Sequence, residues 1–213
     1  MITDELITDE LISLKLFIQS LGSDSLDIIG GTYEGGLRLQ QIPDEIAFCI
    51  NDLIKTNKDF KNFLEVGAAG GGNIYLFNHF FQFKNIVIID DNVYLKRIKQ
   101  PNLRKKNLKN IKYIEIIGDS KAEKTIEDFK KLNMTFDLIF IDGDHSYSGV
   151  KGDANIYLSF LNHKGYAIFH DTVACKGVKK FFEEIKEDKR FEFIKEYISA
   201  EYKPLGIGVF QRR

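Results

Sequence analysis

The stretch FDLIFIDGDHSYSGVKGDANIYLSFLNHKGYAIFHDT, residues 136–172, decides the fold. Phe136 to Ile141 is almost continuously apolar and β-prone, as a strand buried on both faces is. It breaks at Asp142-Gly143-Asp144-His145. A second run, residues 166–169, breaks at His170-Asp171-Thr172, and the residues between the two runs read as a helix. If both strands lie parallel in one sheet, that helix is the right-handed crossover, and Asp142 and Asp171 arrive together at the sheet's carboxyl edge. Open α/β sheets hold their ligands at that edge. Two acids and an imidazole there point to a metal site or to acid–base chemistry.

Outward from this pair the alternation is regular. Upstream, strand patterns at 63–66, 86–90 and 112–117 alternate with helical ones near 73–82, 93–99 and 121–132, the rhythm of a doubly wound parallel sheet. Downstream, after a helix near 176–187, residues 191–199 and 205–211 are strand patterns joined by a short turn with Lys203-Pro204. That gap has no room for a crossover helix, so the two strands pair antiparallel. The expected fold is α/β: a doubly wound, mostly parallel seven-stranded sheet that ends in an antiparallel hairpin.

Residues 1–58 read as an N-terminal helical extension and 59–213 as the main domain. Leu6, Ile7, Leu11, Leu14, Phe17, Ile18 and Leu21 fall near helical spacing, so residues 2–21 are expected to form an amphipathic helix. Its apolar face covers its own domain or pairs with a second copy, and a homodimer is the expectation. ITDEL occurs twice, at 2–6 and 7–11, a period too short for a repeat architecture. Residues 22–38, with Gly30-Gly31 and Gly35-Gly36 flanking Tyr33 and Glu34, read as a loop that is either a lid or an inert connector. Pro43, followed by Asp44 and Glu45, opens a helix to about Lys55.

With 213 residues, 44% of them hydrophobic, the chain can bury a full core in one large domain. Thirty basic residues against 31 acidic ones leave a net charge of -1, which argues against nucleic acid or an anionic membrane as partner. The N-terminus has no basic n-region and no uninterrupted apolar segment, so it is not read as a secretory signal. No stretch approaches the roughly 18 apolar residues of a membrane span. The expected compartment is the cytoplasm. Cys49 and Cys175 lack the paired spacing of a zinc site or a disulfide framework and are read as reduced and structural.

Between the first strand and its helix stands Glu65-Val-Gly67-Ala-Ala-Gly70-Gly71-Gly72, with no side chain beyond Cβ after Val66. Such a turn lets backbone approach a ligand, although tight turns use glycine without any ligand. Asp90 ends the second strand, from which an acid accepts hydrogen bonds from ribose hydroxyls in nucleotide-binding sheets; the alternative is a solvated strand end. Asp119 and Ser120 are candidate adenine contacts or helix caps. Asp142 and Asp144 alternatively only shape a turn, and His145 is alternatively a plain loop residue. His170 is read as a packed or hydrogen-bonded neighbour rather than a ligand.

Glu65, Gly67 and Gly71 match the E-x-G-x-x-x-G first motif of class I S-adenosylmethionine-dependent methyltransferases, and the antiparallel tail resembles that fold. IDGDHSYSGVKGD, the FHDT that follows, and the upstream GGLRLQQIPDEI resemble a bacterial branch with macrocin-type sugar O-methyltransferases and cephalosporin-hydroxylase-like proteins. The resemblance covers about residue 33 to the end. It implies an S-adenosylmethionine site at Glu65, Gly67, Gly71, Asp90, Asp119, Ser120 and Asp142. It also implies magnesium on Asp142 and Asp171, with Thr172 where a third acid or amide ligand is usual, and His145 as general base with Asp142 beside it. The implied reaction is O-methylation of a small-molecule polar acceptor such as a sugar or glycosylated metabolite. Two rivals are a non-catalytic S-adenosylmethionine-binding protein and a nicotinamide-dependent oxidoreductase, which would share the glycine turn but not the antiparallel tail.

Overall fold

A computed structural model describes residues 9–21 and 36–213. The tandem ITDEL expectation and the Tyr33–Glu34 part of the proposed lid lie outside those residues. In chain order the described elements are α1 (Asp9–Ser20), α2 (Pro43–Lys55), β1 (Asn62–Val66), α3 (Gly72–Phe81), β2 (Asn85–Asp90), α4 (Val93–Arg97), α5 (Leu103–Asn107), β3 (Ile114–Ile117), α6 (Glu123–Lys130), β4 (Phe136–Ile141), α7 (Tyr147–Tyr157), β5 (Leu161–His170), α8 (Lys176–Ile185), β6 (Phe191–Tyr197) and β7 (Ile207–Arg212). A single 3-10 turn, Leu158–Phe160, joins α7 to β5.

The strands form one seven-stranded sheet in the order β3-β2-β1-β4-β5-β7-β6. The first five are parallel, whereas β7 enters between β5 and β6 and runs antiparallel to both. Strand order therefore reverses between β1 and β4. That topological switch opens a crevice at the carboxyl ends of the strands.

Alternate side chains of each central strand feed two cores. Phe63, Leu138 and Phe140 face a layer built by α1, α2 and α3, and Leu64, Ile139 and Ile141 face one built by α6, α7 and α8. This two-sided burial explains why β1 and β4 are nearly unbroken apolar runs. Leu11, Leu14 and Ile18 of α1, with Ile46, Ala47 and Ile50 of α2, lie in the same core as the strands. Among the described residues, no helix is long and apolar enough to cross a membrane.

The helix expected over 93–99 is α4, and a second short helix, α5, follows it outside that range. Pro101 lies between them and disfavours helical backbone at Gln100, and Lys99 just before it turns left-handed at φ 55. The fifth strand is also longer than its apolar run and reaches His170 itself, so that side chain is buried rather than part of a loop.

Candidate functional site

A cavity of about 560 Å³ lies at the switch point. Its walls include Gly67 and Ala69 after β1, Asp90 and Asp91 after β2, Gly118, Asp119 and Ser120 after β3, and Asp142 to His145 after β4. His170, Asp171 and Leu205 close the far end, and Gln40 reaches it from the segment before α2. Sequence-chosen residues from five strand ends therefore share one hollow. Glu65, Gly71 and Thr172 are not on its wall.

The first turn explains two of its glycines by packing. Gly67 has φ +85, and a Cβ there would come within 2.2 Å of the Asp142 carbonyl oxygen. Gly71 has φ +77, and its Cβ would meet Leu108 and Arg104 of the α5 region. A side chain on Gly67 thus collides with the turn after β4, not with empty cavity. Gly67→Val is expected to lower the thermal midpoint of the ligand-free protein as well as ligand affinity. An unchanged midpoint with lost affinity would show that the collision is relieved and that only the cavity is blocked.

Glu65 sits beneath the turn, where one of its oxygens accepts from Asn73 Nδ2 at 3.2 Å. Burial, and then the negative charge of Asp142, push its carboxyl up to about 8, so it is protonated at neutral pH.

Asp90 is held by three groups. Its Oδ2 accepts from Ala69 N at 2.9 Å, its Oδ1 accepts from Asn92 N at 2.7 Å, and Arg104 Nη2 lies 2.9 Å from Oδ1. A carboxylate offers about four acceptor positions, so capacity for a ribose hydroxyl remains on the cavity side. Arg104 had no signal in the sequence, since LRKKN reads as a solvated basic run. Here its side chain is only 2% exposed. Its Nε donates to Ala69 O at 2.8 Å, and Nη1 donates to Asn92 Oδ1 at 2.9 Å and also reaches Glu115. One guanidinium thus ties the turns after β1 and β2 to strand β3.

Also on the cavity wall, Ser120 Oγ donates to Asp153 Oδ1 at 2.5 Å. Asp119 accepts from Lys121 N at 2.9 Å, shapes that turn, and is pulled below the usual carboxylate range by this bond. Asp153, fully buried on α7, is pushed up to about 6 by burial. It closes the GDHSYSGVKGD run, the signal by which it could have been found.

The chemistry-bearing group is a closed ring of two carboxylates and two imidazoles. Asp142 Oδ1 lies 3.1 Å from His145 Nε2 and 3.2 Å from His170 Nδ1. Asp171 Oδ2 lies 3.2 Å from His145 Nδ1 and 3.6 Å from His170 Nδ1. The parallel pairing of β4 and β5 produces this, because it levels the two strand ends. His145 is the exposed member, with 41% of its side chain accessible, against 4% for His170. Ser146 caps α7 by accepting from Gly149 N at 3.0 Å, which fixes the loop that carries His145.

Burial pushes Asp142 up, but His170 and His145 outweigh it and hold this carboxylate below its ordinary range. Asp171 is raised, chiefly by burial. His145 is raised by its hydrogen bond to Asp142. For His170, burial alone would lower the imidazole, but Asp142, Asp171 and Glu45 reverse this and carry it up to about 9.

The donor set fits a divalent cation. Ligand atoms of Asp142, His170 and Asp171 lie within 4.8 Å of one another, a compact group of oxygens with one nitrogen. Thr172 does not complete it. It is buried, its hydroxyl lies beside Gly206, where a Cβ would come within 2.4 Å of it, and Thr172 is not on the cavity wall. The third donor of that compact group is His170.

Residues 48–172 match the family described as a methyltransferase domain. A curated relative, uncharacterized protein R132 of Acanthamoeba polyphaga mimivirus, is 32% identical over 120 residues, 54% of this chain and 52% of its own length. The chain thus spans about half the length of that relative. Among solved structures, an O-methyltransferase from Bacillus cereus in complex with SAH superposes with a TM-score of 0.55 at 14% identity, over 100% of this chain and 93% of that one. MycE methyltransferase of the mycinamycin biosynthetic pathway, in complex with Mg, SAH and mycinamycin VI, gives 0.54 at 14% identity, over 78% and 49%. At these identities the likeness is one of fold. The family match spans β1 to the end of β5, the segment that builds the cavity from Gly67 to Asp171, and by that match this chain belongs to the methyltransferase domain family.

Proposed function

We propose that this protein transfers a methyl group from S-adenosylmethionine to a hydroxyl of a small polar acceptor, such as a sugar or glycosylated metabolite, in the cytoplasm. The observation that carries this is the placing of His145. It lines the cavity with 41% of its side chain accessible, flanked by Asp142 and Asp171 from the ends of β4 and β5. The cofactor would lie along Gly67, Asp90 and Ser120, and it supplies an electrophilic methyl. The protein must then orient the acceptor and take its proton. His145 is the group that takes it, and Asp142 holds the ring in place.

A divalent cation such as magnesium would be held by Asp142 and Asp171 with His170 beside them, where it supplies Lewis acidity toward a hydroxyl. MycE, whose structure contains Mg, SAH and mycinamycin VI, supports the metal and a small-molecule acceptor.

Calorimetric titration tests the cofactor first: S-adenosylmethionine and its demethylated product should bind, and NADH should not. Tight NADH binding without either would replace the reading by an oxidoreductase. Labelled methyl donor incubated with hydroxylated metabolite fractions should then mark a product, whereas binding without transfer would leave a binding protein. Asp171→Ala is expected to abolish chelator-sensitive turnover and to leave cofactor affinity within about twofold, since no polar contact to the nucleoside end is assigned to it. An inert Asp171→Ala, with turnover indifferent to chelator, would remove the metal.

A further inference from the structure

We propose a second metal site, for a thiophilic ion of the zinc and cadmium type, formed by His145 Nδ1, Asp171 Oδ2 and Cys175 Sγ. These donors lie within 4.8 Å of one another. Cys175 Sγ is 3.5 Å from His145 Nδ1, and Asp171 Oδ2 is 3.2 Å from the same nitrogen. Tetrahedral zinc, with bonds of about 2.3 Å to sulfur and about 2.0 Å to nitrogen and oxygen, has S···N and N···O edges of about 3.5 and about 3.3 Å. Two edges of a zinc tetrahedron are therefore already present.

The far side of the imidazole strengthens the assignment. His145 Nε2 faces Asp142 Oδ1 at 3.1 Å. Histidines that bind metal through one nitrogen usually donate the other N–H to a carboxylate, which fixes the tautomer and raises the ring's basicity. The thiol comes from a fixed turn: Cys175 N donates to Asp171 O at 3.1 Å, and Val173 N and Ala174 N both donate to Leu205 O. Cys175 is partly accessible, and His145 and Asp171 line the cavity, so the fourth position opens there.

This triad shares Asp171 with the group formed by Asp142, His170 and Asp171, but it differs in character. Two carboxylates with an imidazole suit a hard or borderline ion, and thiolate with imidazole selects a soft one. Coordination forms the S–metal bond as Cys175 gives its thiol proton to solvent. The site does not depend on methyl transfer. If His145 serves that reaction, a zinc-type ion on Nδ1 takes the ring out of use, so the ion is an inhibitor.

Cadmium titration of the full chain tests this, read by thiolate-to-metal charge-transfer absorbance in the ultraviolet. One equivalent should develop the band, zinc should displace it, and magnesium should not. Cys175→Ser should abolish it, whereas Cys49→Ala should keep it, since Cys49 is fully buried. Asp142→Asn should weaken cadmium affinity about 10- to 100-fold through the lost carboxylate on the far nitrogen. Matching circular dichroism of the variants confirms that each is folded. No band with excess cadmium, or a band that persists in Cys175→Ser, would overturn the proposal, as would His145→Ala with wild-type cadmium affinity.

Discussion

Arg104→Ala destabilises the fold by about 3–5 kcal/mol, the usual loss when one member of a buried ion pair is removed. The charge that remains is Asp90, whose side chain is only 8% exposed. Its two backbone donors, Ala69 N and Asn92 N, stay in place but cannot neutralise it. The carbonyl of Ala69 and the amide of Asn92 lose their guanidinium partners at the same time. Arg104→Lys is expected to recover little, because one ammonium cannot reach four groups in the planar fork that the guanidinium fills. Urea unfolding measures the loss as a lower midpoint at unchanged slope. S-Adenosylmethionine affinity should fall as well, since under the proposed function the turns after β1 and β2 would hold the nucleoside. A change under about 1 kcal/mol would mean that water replaces the guanidinium.

The second large effect is on rate. His145→Ala is expected to cut turnover at saturating cofactor by ~10²- to 10⁴-fold, the range for a lost general base, with cofactor affinity nearly unchanged. The pH profile carries the sign. His145 is raised above its ordinary 6.5 by Asp142, and a base works only unprotonated. The acid limb of wild-type turnover should therefore lie above pH 6.5, with rate rising as pH climbs through it. Asp142→Asn removes the hydrogen-bonded charge, so that limb should move down even as the rate falls. In His145→Ala the limb should vanish and the deficit shrink at high pH, as the acceptor ionises unaided. A variant that keeps wild-type rate would leave the ring of acids without a base.

What the sequence disclosed follows from how each signal is written. Apolar runs bounded by acids marked β4 and β5, because burial on both faces leaves no other composition. The absence of a crossover between the last two strands marked the hairpin. Both readings are local, and both are found. Asp142, His145 and Asp171 could be placed together because parallel pairing levels strand ends. Arg104 could not, since its burial depends on where α5 lands after the break at Pro101. Thr172 was legible as a departure from the family pattern, but its surroundings were not. Its hydroxyl lies beside Gly206, thirty-four residues later. The proximity of Cys175 to His145 was not legible either, because the two stand on different strands' loops and no spacing rule could register the pair.

The insertion of β7 between β5 and β6 has a bearing on how the chain is made. Until residues 207–212 leave the ribosome, β5 has β4 on one side and nothing on the other, so the backbone from Tyr166 to His170 is a bare sheet edge. Such an edge of apolar residues recruits other strands. In the newborn protein that edge, which ends at His170, stays open until β7 pairs with it. Glu45 is already waiting on α2, where it takes Ser199 N and Gly206 N, each at 2.9 Å, and brackets the loop that leads into β7. The loop before β7 is thus held by a residue more than 150 positions earlier in the chain, and Leu205 of that loop lines the cavity.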